Sequence, residues 1–407
     1  MLNDNLSILG GILGERSSLN GDTGKYFAYP KVAAVYNLTE IVNGQKADTG
    51  PRMEGQAKPL FDTVRVRGAY GEAGNRPNYG QKFTPLIATA NIDGNAGLVI
   101  GANAGDANIE PERQREFELG TDVALRDQKV VLELTGYQRN ISNMLLQRAL
   151  ATSTGFTTQF FNAGSLRNRG VELALQLSPL PDKRVEWTTR GVLTFNRSDV
   201  TEMPDTDGDG KPDFFDVTAA GFGTGLGSFR IEQGKSATQI VGSIDANGTV
   251  AVVGNGEPDF RVGWSNIVKW NNFTFGALVD WQHGSDVINL TRLLYDFGNV
   301  SPDAADASKR LMAFSNGDIR PYIEDASFVK LREVSVQYDV PKKFATQLGP
   351  LRTLTVQLSG RNLATFTNYS GLDPEVSNFA SQPIGRNYDV APYPPSRSFW
   401  FSVTAGL

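Results

Sequence analysis

The residues whose types and spacing best fit a chemical role lie in one acidic segment, between positions 205 and 216. Its first, third, fifth, ninth and twelfth residues are aspartates and its sixth is glycine, the spacing with which a calcium-binding loop wraps oxygen ligands around the ion. We therefore expect a Ca2+ site whose candidate ligands are Asp205, Asp207, Asp209, the backbone carbonyl of Lys211, Asp213 and Asp216. The same composition also fits a solvated Asp/Gly turn, and Pro212 favours that alternative.

Few other residues could carry chemistry. The chain has no cysteine and a single histidine, His283, which excludes thiolate chemistry and metal sites built from several histidines. A Ser-His-Asp triad would depend on His283, and the sequence has no Gly-x-Ser-x-Gly motif. We therefore expect a protein that is not an enzyme. The net charge of -5 argues against a nucleic-acid binder, which would carry a basic face.

The elements that would position these residues show a period-two alternation of apolar and polar residues, which is typical of strands with two different faces. One side of a strand near position 120 is formed by Phe117, Leu119, Thr121, Val123 and Leu125. The other side of the same strand includes Glu116, Glu118 and Asp122. No stretch approaches the roughly 18 consecutive apolar residues that a membrane helix needs.

About twelve such strands are predicted, many of them at or above the ~9–11 residues with which a tilted strand crosses a bilayer. They lie near residues 5–15, 25–36, 60–72, 114–126, 129–141, 169–178, 184–197, 259–270, 272–284, 327–340, 352–366 and 396–407. Tight links near 126–128, 179–182 and 271–272 alternate with long polar loops near 73–113, 142–168, 198–258, 285–326 and 367–395. This connectivity is typical of an outer-membrane barrel.

A soluble β-sandwich or propeller also has alternating strands. The predicted strands are longer than the ~5–6 residues usual in globular sheets, and the loops are longer than hairpin loops of ~2–5 residues. Aromatic residues also lie toward strand ends, as an interfacial girdle requires: Trp187, Phe195, Trp270, Phe273, Trp281 and Tyr338. We therefore predict an all-β fold, an antiparallel transmembrane β-barrel with short periplasmic turns and long extracellular loops.

Two sets of residues could contact a solute in such a barrel. The polar residues predicted to face its interior include Glu116, Glu118, Asp122, Glu186, Arg190, Asp280 and Gln357. Residues of this kind also serve simply to solvate a wet interior. Aromatic loop residues could stack on sugar rings, and loop packing explains them equally well. They are Phe156, Phe160, Phe161, Phe222, Tyr295 and Phe297.

Several motifs point to a family. Residues 109–122, IEPERQREFELGTD, resemble a strand entry of TonB-dependent outer-membrane receptors. Residues 329–341, 359–363 and 369–376 resemble the C-terminal end of SusC/RagA-type TonB-linked transporters. Supporting matches lie at 67–75, 168–173 and 254–260. Together the matches span nearly the whole chain in the order of the family.

The resemblance implies that residues 1–407 are the C-terminal part of a larger barrel, about twelve of roughly twenty-two strands. Family members also have a signal peptide, a TonB-coupling segment and a globular plug domain. None of these is recognisable here, so we expect a fragment. The last strand, 399–407, resembles the signal read by the outer-membrane assembly machinery, with Leu407 in place of the usual aromatic residue.

The resemblance also implies a function. It implies a transporter in the lipid of the bacterial outer membrane that takes up a bulky nutrient, an oligosaccharide or a peptide. The TonB complex and a SusD-like surface lipoprotein would be its partners. The alternative is a self-contained small outer-membrane barrel that acts as a porin, an adhesin or a hydrolase.

Overall fold

The computed structural model describes residues 5–44, 59–181, 184–217, 222–375, 377 and 387–406. One antiparallel sheet of twelve strands, arranged in chain order, dominates the fold. The strands are β1 (Leu6–Glu15), β2 (Phe27–Asn37), β3 (Phe61–Asn75), β4 (Glu112–Leu125), β5 (Val130–Ser142), β6 (Ser165–Pro181), β7 (Val185–Glu202), β8 (Phe260–Trp270), β9 (Phe273–His283), β10 (Phe328–Asp339), β11 (Thr353–Thr367) and β12 (Ser398–Gly406). In the described residues, β1 and β12 lie at the two edges of the sheet.

The predicted all-β class and all twelve predicted strands are confirmed. Some strands extend beyond the apolar stripe that predicted them. β6 begins at Ser165, and β7 continues to Glu202. In these extensions the ladder pairs polar residues, for example Arg167 with Asp199. Because backbone pairing does not require apolar side chains, alternation in hydropathy underestimates strand length.

The register separates the side chains into two faces, since directly opposed residues of antiparallel strands point to the same side. Leu119 of β4 lies opposite Gly136 of β5, which lies opposite Val171 of β6. This side carries the apolar stripes, and we call it the apolar face. Glu116 lies opposite Arg139 on the other side, the polar face. The two-faced alternation predicted for β4 is confirmed.

Aromatic residues form two bands on the apolar face. At the strand ends next to links 271–272 and 340–352, the short-link side, the ring centroids of Phe273 and Tyr338 are 4.7 Å apart. Near the long links, Phe260 lies 6.2 Å from Phe195 and 4.8 Å from Trp281. The band near the short links also includes Trp187 and Trp270. The predicted aromatic residues therefore occupy both ends of the strands, as at the two interfaces of a membrane.

The links at one end of the strands, which we call the turn edge, are mostly short. Those at the other end, the loop edge, are mostly long. At the turn edge the links are 38–60, 126–129, 182–184, 271–272 and 340–352. At the loop edge they are 16–26, 76–111, 143–164, 203–259, 284–327 and 368–397. The helices are α1 (Thr39–Val42), α2 (Leu290–Phe297), α3 (Ala304–Ser315) and α4 (Lys342–Ala345). Within the described part of the chain, no helix has the length and hydropathy needed to span a membrane.

The long links form small sheets of their own. Link 76–111 contains the hairpin Leu86–Ile92 and Asn95–Ile100. The strand Thr158–Asn162 pairs with Leu145–Ala149 and with Asn103–Ala104. Link 203–259 contains Phe215–Val217, Ser228–Ile231, Gln239–Ser243 and Val250–Asn255. Asp286–Asn289 pairs with Ile323–Asp325 and with Tyr388–Asp389, which joins the last two links in one sheet.

The last three of these links also share a hydrophobic core, and we call them together the loop cap (203–259, 284–327 and 368–397). The buried residues of this core are Phe229, Ile240, Ile288, Leu290, Leu293, Ile319, Tyr322 and Tyr388. Each link contributes at least one of them. Because their apolar surfaces are removed from water only when the three links pack together, these three links form one body.

An arginine on the apolar face should be costly, whereas an arginine on the polar face should be tolerated. Leu193 and Val192 are neighbours in the middle of β7, and they point to opposite faces. We expect Leu193→Arg to lower the free energy of unfolding by about 2–4 kcal/mol, the cost of a cation at the bilayer midplane. Val192→Arg is the matched control. Urea unfolding in lipid vesicles measures both, and equal losses would contradict the assigned faces.

Candidate functional site on the polar face and in the loop cap

Ion pairs between neighbouring strands cover the polar face. Arg139 of β5 donates hydrogen bonds of 3.0 and 3.1 Å to Glu116 of β4. Arg67 of β3 lies 3.3 Å from Asp122. The register places every polar residue predicted to face the interior on this side: Glu116, Glu118, Asp122, Glu186, Arg190, Asp280 and Gln357. The polar face is therefore suited to water and polar solutes.

Six charged residues form a continuous network where the polar face meets the loop cap, and we call this network the latch. Its members are Arg261 of β8, Asp280 of β9, Lys330 and Arg332 of β10, and Asp373 and Glu375 of link 368–397. Lys330 Nζ lies 2.6 Å from Asp373 Oδ1 and 2.6 Å from Glu375 Oε2. Arg332 bridges Glu375 at 2.7 Å and Asp280 at 2.5 Å. The latch thus connects three strands to one loop.

A β-bulge in β10 aims Arg332 into the latch. Val279 lies opposite Leu331, but the preceding residue, Leu278, lies opposite Glu333. Arg332 is therefore the extra residue on β10. A bulge re-aims a side chain, and this one lets Arg332 reach Asp280 on the neighbouring strand.

The centre of the latch is buried. The side chains of Lys330 and Asp373 are only 5% and 6% exposed. Burial alone would raise the pKa of Glu375, but hydrogen bonds from Arg332 and Lys330 outweigh it and lower that pKa below its ordinary value. Removing one partner of a buried pair leaves an uncompensated charge. The latch therefore holds link 368–397 against the polar face.

A second network joins the two longer helices of the loop cap. Asp296 of α2 is almost fully buried, and it accepts two hydrogen bonds of 2.7 Å from Arg310 of α3 and one of 2.9 Å from the Tyr322 hydroxyl. Arg310 also donates to Asp303 at 2.8 and 3.0 Å. Burial alone would raise the pKa of Asp296, but its bonds from Arg310, Ser301 and Tyr322 lower it. Asp296 is therefore held as an anion.

Link 368–397 is fastened to link 284–327 as well as to the strands that carry the latch. Asp389 accepts hydrogen bonds from the hydroxyls of Thr291 and Tyr369. Burial of Tyr369 and its bond to Asp389 raise the pKa of the phenol. Ser370 donates its N–H and its hydroxyl to Glu324 at 2.9 and 2.8 Å. One loop thus ties the body of the cap to the sheet.

The structure brings three of the six predicted calcium ligands together. One carboxylate oxygen from each of Asp205, Asp207 and Asp209 lies within 4.8 Å of the others, and all three residues are exposed. Asp205 accepts backbone hydrogen bonds from Gly208 and Gly210 at 2.6 and 2.9 Å, and these bonds lower its pKa. Both glycines have positive φ angles, 80° and 82°, so the loop turns sharply here.

The other predicted ligands are Lys211, Asp213 and Asp216. Asp213 accepts the backbone N–H of Thr206 at 2.8 Å. Asp216 instead pairs with Arg230 across a hairpin, through two hydrogen bonds of 2.7 and 3.1 Å. Hydrogen bonds from backbone N–H groups to a carboxylate, such as those that Asp205 and Asp213 accept, are typical of an Asp/Gly turn. Calcium binding at this loop stays a prediction.

The loop aromatic residues divide into packed and exposed members. Phe161 is buried with its ring centroid 5.8 Å from that of Phe215, and Phe222 packs against the core of the loop cap. Tyr295 and Phe297 of α2 are about half exposed. Phe156 and Phe160 are both half-buried. Loop packing therefore explains Phe161 and Phe222, whereas the exposed pair on α2 is open to a ligand.

His283 does not form a catalytic triad. Its Nδ1 lies 3.5 Å from Ser327 Oγ, but the Ser327 hydroxyl donates to Asp325 at 2.5 Å. In a triad the carboxylate would accept a hydrogen bond from the imidazole. The ring centroid of His283 lies 5.3 Å from that of Phe260, within the aromatic band of the apolar face.

The strand pattern and the motifs match one known family. Residues 2–363 match the family model described as TonB dependent receptor-like, beta-barrel. The chain belongs to this family. It is a family of receptors and transporters of the bacterial outer membrane, so the predicted family and location are confirmed. In this TonB-dependent receptor barrel the polar face lines the lumen, the apolar face contacts lipid and the loop edge is extracellular.

Individual relatives agree with this assignment. The chain is 26% identical to TonB-dependent receptor P3 of Formosa agariphila over 431 residues, which cover 92% of this chain and 41% of that protein. It is 22% identical to TonB-dependent receptor SusC of Bacteroides thetaiotaomicron, over 74% of this chain and 32% of that protein. The structure of the RagAB peptide transporter shares the fold, with a TM-score of 0.75 and 19% identity over 98% of this chain and 45% of that one.

The relatives that match include SusC and RagAB, which agrees with the predicted SusC/RagA type. The chain spans less than half the length of the relatives it matches. That it is the C-terminal part of a larger barrel, without plug domain and signal peptide, stays a prediction. Val376 and Leu407, which belong to the resembling motifs, lie outside the described residues.

Sequence reasoning identified one member of the latch, Asp280, from strand alternation. It did not group Lys330 and Arg332 with Asp373 and Glu375. The two segments are far apart in the sequence, because link 340–352 and β11 lie between them. The available signal was that both segments resemble the family and carry opposite charges.

Lys330→Met should release link 368–397 from the barrel wall, because it leaves Asp373 buried without its cation. We expect the free energy of local opening of residues 369–375 to fall by about 3–5 kcal/mol, measured as faster amide hydrogen exchange. The control, Lys309→Met, removes a pair with Asp306 whose side chains are 78% and 63% exposed. Because that pair is solvent-exposed, its loss should leave amide exchange of residues 369–375 unchanged. Equal effects of the two variants would show that the latch does not hold the loop.

The loop cap should lose stability in acid. The pKa of Asp296 is lowered from its ordinary 3.8, so its stabilising contribution is complete above that pH and is lost as the pH falls through the lowered pKa. Limited proteolysis of the extracellular loops in outer membranes, from about pH 6 to 2, measures this loss. Asp296→Asn should make the cap sensitive already at pH 6 and weaken the pH dependence. Asp306→Asn, on the exposed face of α3, should behave as wild type.

If the acidic loop binds calcium, titration calorimetry of the protein with CaCl2 should give a dissociation constant on the order of 10⁻⁴–10⁻³ M, as in extracellular modules. The double variant Asp207→Asn/Asp209→Asn should abolish the signal, because it removes two of the three gathered carboxylates. Asp318→Asn, in a different part of the cap, is the control. A wild-type protein that gives no heat has an Asp/Gly turn at this position and no calcium site.

Proposed function

We propose that this protein forms the barrel wall of a TonB-dependent importer that carries a bulky nutrient, an oligosaccharide or a peptide, across the bacterial outer membrane. The observation that carries the proposal is the lumen wall. Ion pairs line it from β3 to β11, in a chain that belongs to the family of TonB-dependent receptor barrels. Because these charges compensate one another, the wall accepts a hydrated polar solute without binding a single ion tightly.

The loop cap supports the import of a large solute. Three extracellular links share a core, and the latch ties them to the lumen side of the wall. A packed body at the extracellular end of a wide barrel restricts free diffusion, so passage requires a controlled opening.

Energy coupling through the TonB complex and capture of the nutrient with a SusD-like surface lipoprotein are part of the proposal. The structural neighbour RagAB is described as a peptide transporter and as a peptide importer, which favours a peptide. The exposed rings of Tyr295 and Phe297 would suit a sugar, since aromatic faces pack against the apolar faces of sugar rings. Both substrate classes are therefore tested.

The test compares uptake in the host bacterium with and without the gene. Cells receive fluorescent oligosaccharides, fluorescent peptides or a small fluorescent sugar that porins admit. We expect deletion, or a protonophore that abolishes energy coupling, to stop accumulation of one bulky class and to leave the small sugar unaffected. Uptake that needs the gene but resists the protonophore would identify a passive porin instead. Unchanged uptake of every probe would refute the transport function.

A further inference from the structure

The lipid-facing side of the barrel carries a group of arginines that transport through the lumen does not use. They lie at the extracellular ends of β4, β6 and β7: Arg113, Arg115, Arg167, Arg169 and Arg197. The acidic residues paired with them are Glu72, Asp199 and Asp259, which leaves an excess of two positive charges. The corresponding outward positions of β9, β10 and β11 hold His283, Val329 and Phe366. The basic group is therefore local to one side of the sheet.

Two of these arginines stand directly opposite each other. Arg169 of β6 and Arg197 of β7 are ladder partners, and like charges in directly opposed positions are destabilising. Arg169 Nη2 lies 3.1 Å from Asp199 Oδ2, and Arg197 Nη2 lies 2.5 Å from Asp259 Oδ1. Arg197 also donates to the carbonyl of Pro258 at 3.1 Å. Both side chains are still about half exposed, and a guanidinium has five N–H donors, so the pair can bind a further anion.

The height of the pair matches the lipid headgroups. Two residues further into the membrane along the same strands, Val171 lies opposite Phe195, and Phe195 belongs to the extracellular aromatic band. Two residues of a strand rise about 6.6 Å, so the two guanidinium groups lie just outside this band. Aromatic bands mark the boundary between hydrocarbon and headgroups. The arginine pair therefore lies where the outer leaflet carries its phosphates.

Below the pair, the lipid-facing surface has an apolar groove. Gly136 of β5 points outward between Leu119 and Val171, and a Cβ added there would meet no atom within 4 Å. The groove has a volume of about 590 Å³, and its lining includes Phe117, Leu119, Val171, Phe195, Arg169 and Arg197. Its walls suit an acyl chain, and its upper end suits a phosphate.

We propose that this groove binds one phosphorylated glycolipid of the outer leaflet, of the lipid A type, with a phosphate between Arg169 and Arg197 and an acyl chain over Gly136. Arginine and phosphate form bidentate, charge-assisted hydrogen bonds, and the anion relieves the repulsion within the opposed pair. A neutral lipid supplies the chain without the charge, and free phosphate supplies the charge without the chain. The proposal rests on the outer-membrane location and not on the identity of the transported nutrient.

The test uses the protein extracted from outer membranes and placed in phosphatidylcholine nanodiscs with added lipid A that carries two phosphates. Native mass spectrometry then counts the lipid A molecules that stay bound. We expect one retained molecule per wild-type barrel. Arg169→Gln/Arg197→Gln should weaken retention by about ten- to a hundredfold, the effect of losing charge-assisted hydrogen bonds. Gly136→Leu should weaken it as well, because the new side chain fills the groove and leaves the charges in place.

Arg139→Gln is the matched control. Arg139 lies opposite Asn168, the residue before Arg169, but it points into the lumen and pairs with Glu116. Its loss should leave lipid A retention unchanged, and heat-modified mobility in gels checks that every variant is folded. Equal retention by wild type and the double arginine variant would refute the site. Equal retention of lipid A without phosphates, or displacement by inorganic phosphate alone, would also refute it, as a purely apolar contact or a free-anion site.

Discussion

Inside a bilayer no water is available to the backbone, so each strand that crosses it must bond to neighbours on both sides. From β2 to β11 this constraint is met by antiparallel pairing in chain order. The register of that pairing decides which side chains meet lipid and which meet the lumen. A slip of β5 by one residue would turn Leu134 toward the lumen and Arg139 toward lipid. The ion pairs of the wall, the aromatic bands and the latch all depend on this register.

The loop cap is held to this wall by charges that have been taken out of water. Lys330 and Asp373 in the latch, and Asp296 and Arg310 between α2 and α3, are buried with their partners. Each such charge is tolerated only in the arrangement that supplies its counter-ion. Apolar packing alone would allow the three links to adopt several arrangements that have similar free energies. The buried pairs therefore contribute more to the uniqueness of the cap than to its net stability.

The wall could be predicted from the sequence because a two-residue period is local information, and the stripe at Phe117 and Leu119 is enough to find β4. Strand ends were harder, since polar pairs such as Arg167 with Asp199 continue the ladder without an apolar signal. The core of the loop cap could not be predicted, because Phe229 and Tyr388 meet only after the four strands β8–β11 and their links have folded between them. The acidic loop shows the same limit. Linear spacing suggests Asp216 as a ligand, whereas the hairpin gives it Arg230 as a partner.

The two surfaces of the wall treat arginine differently, and the difference follows from what each surface contacts. In the lumen Arg139 is matched by Glu116, and Arg261 and Arg332 share Asp280 and Glu375, so the cations are balanced within the protein. The proposed path for a nutrient needs this balance, because an unpaired cation would trap an anionic solute. On the lipid side the arginines outnumber their acidic partners, and two of them are directly opposed. An excess of positive charge is stable only where the surroundings supply anions. Of the two surfaces, only the lipid-facing one borders on a layer of lipid phosphates.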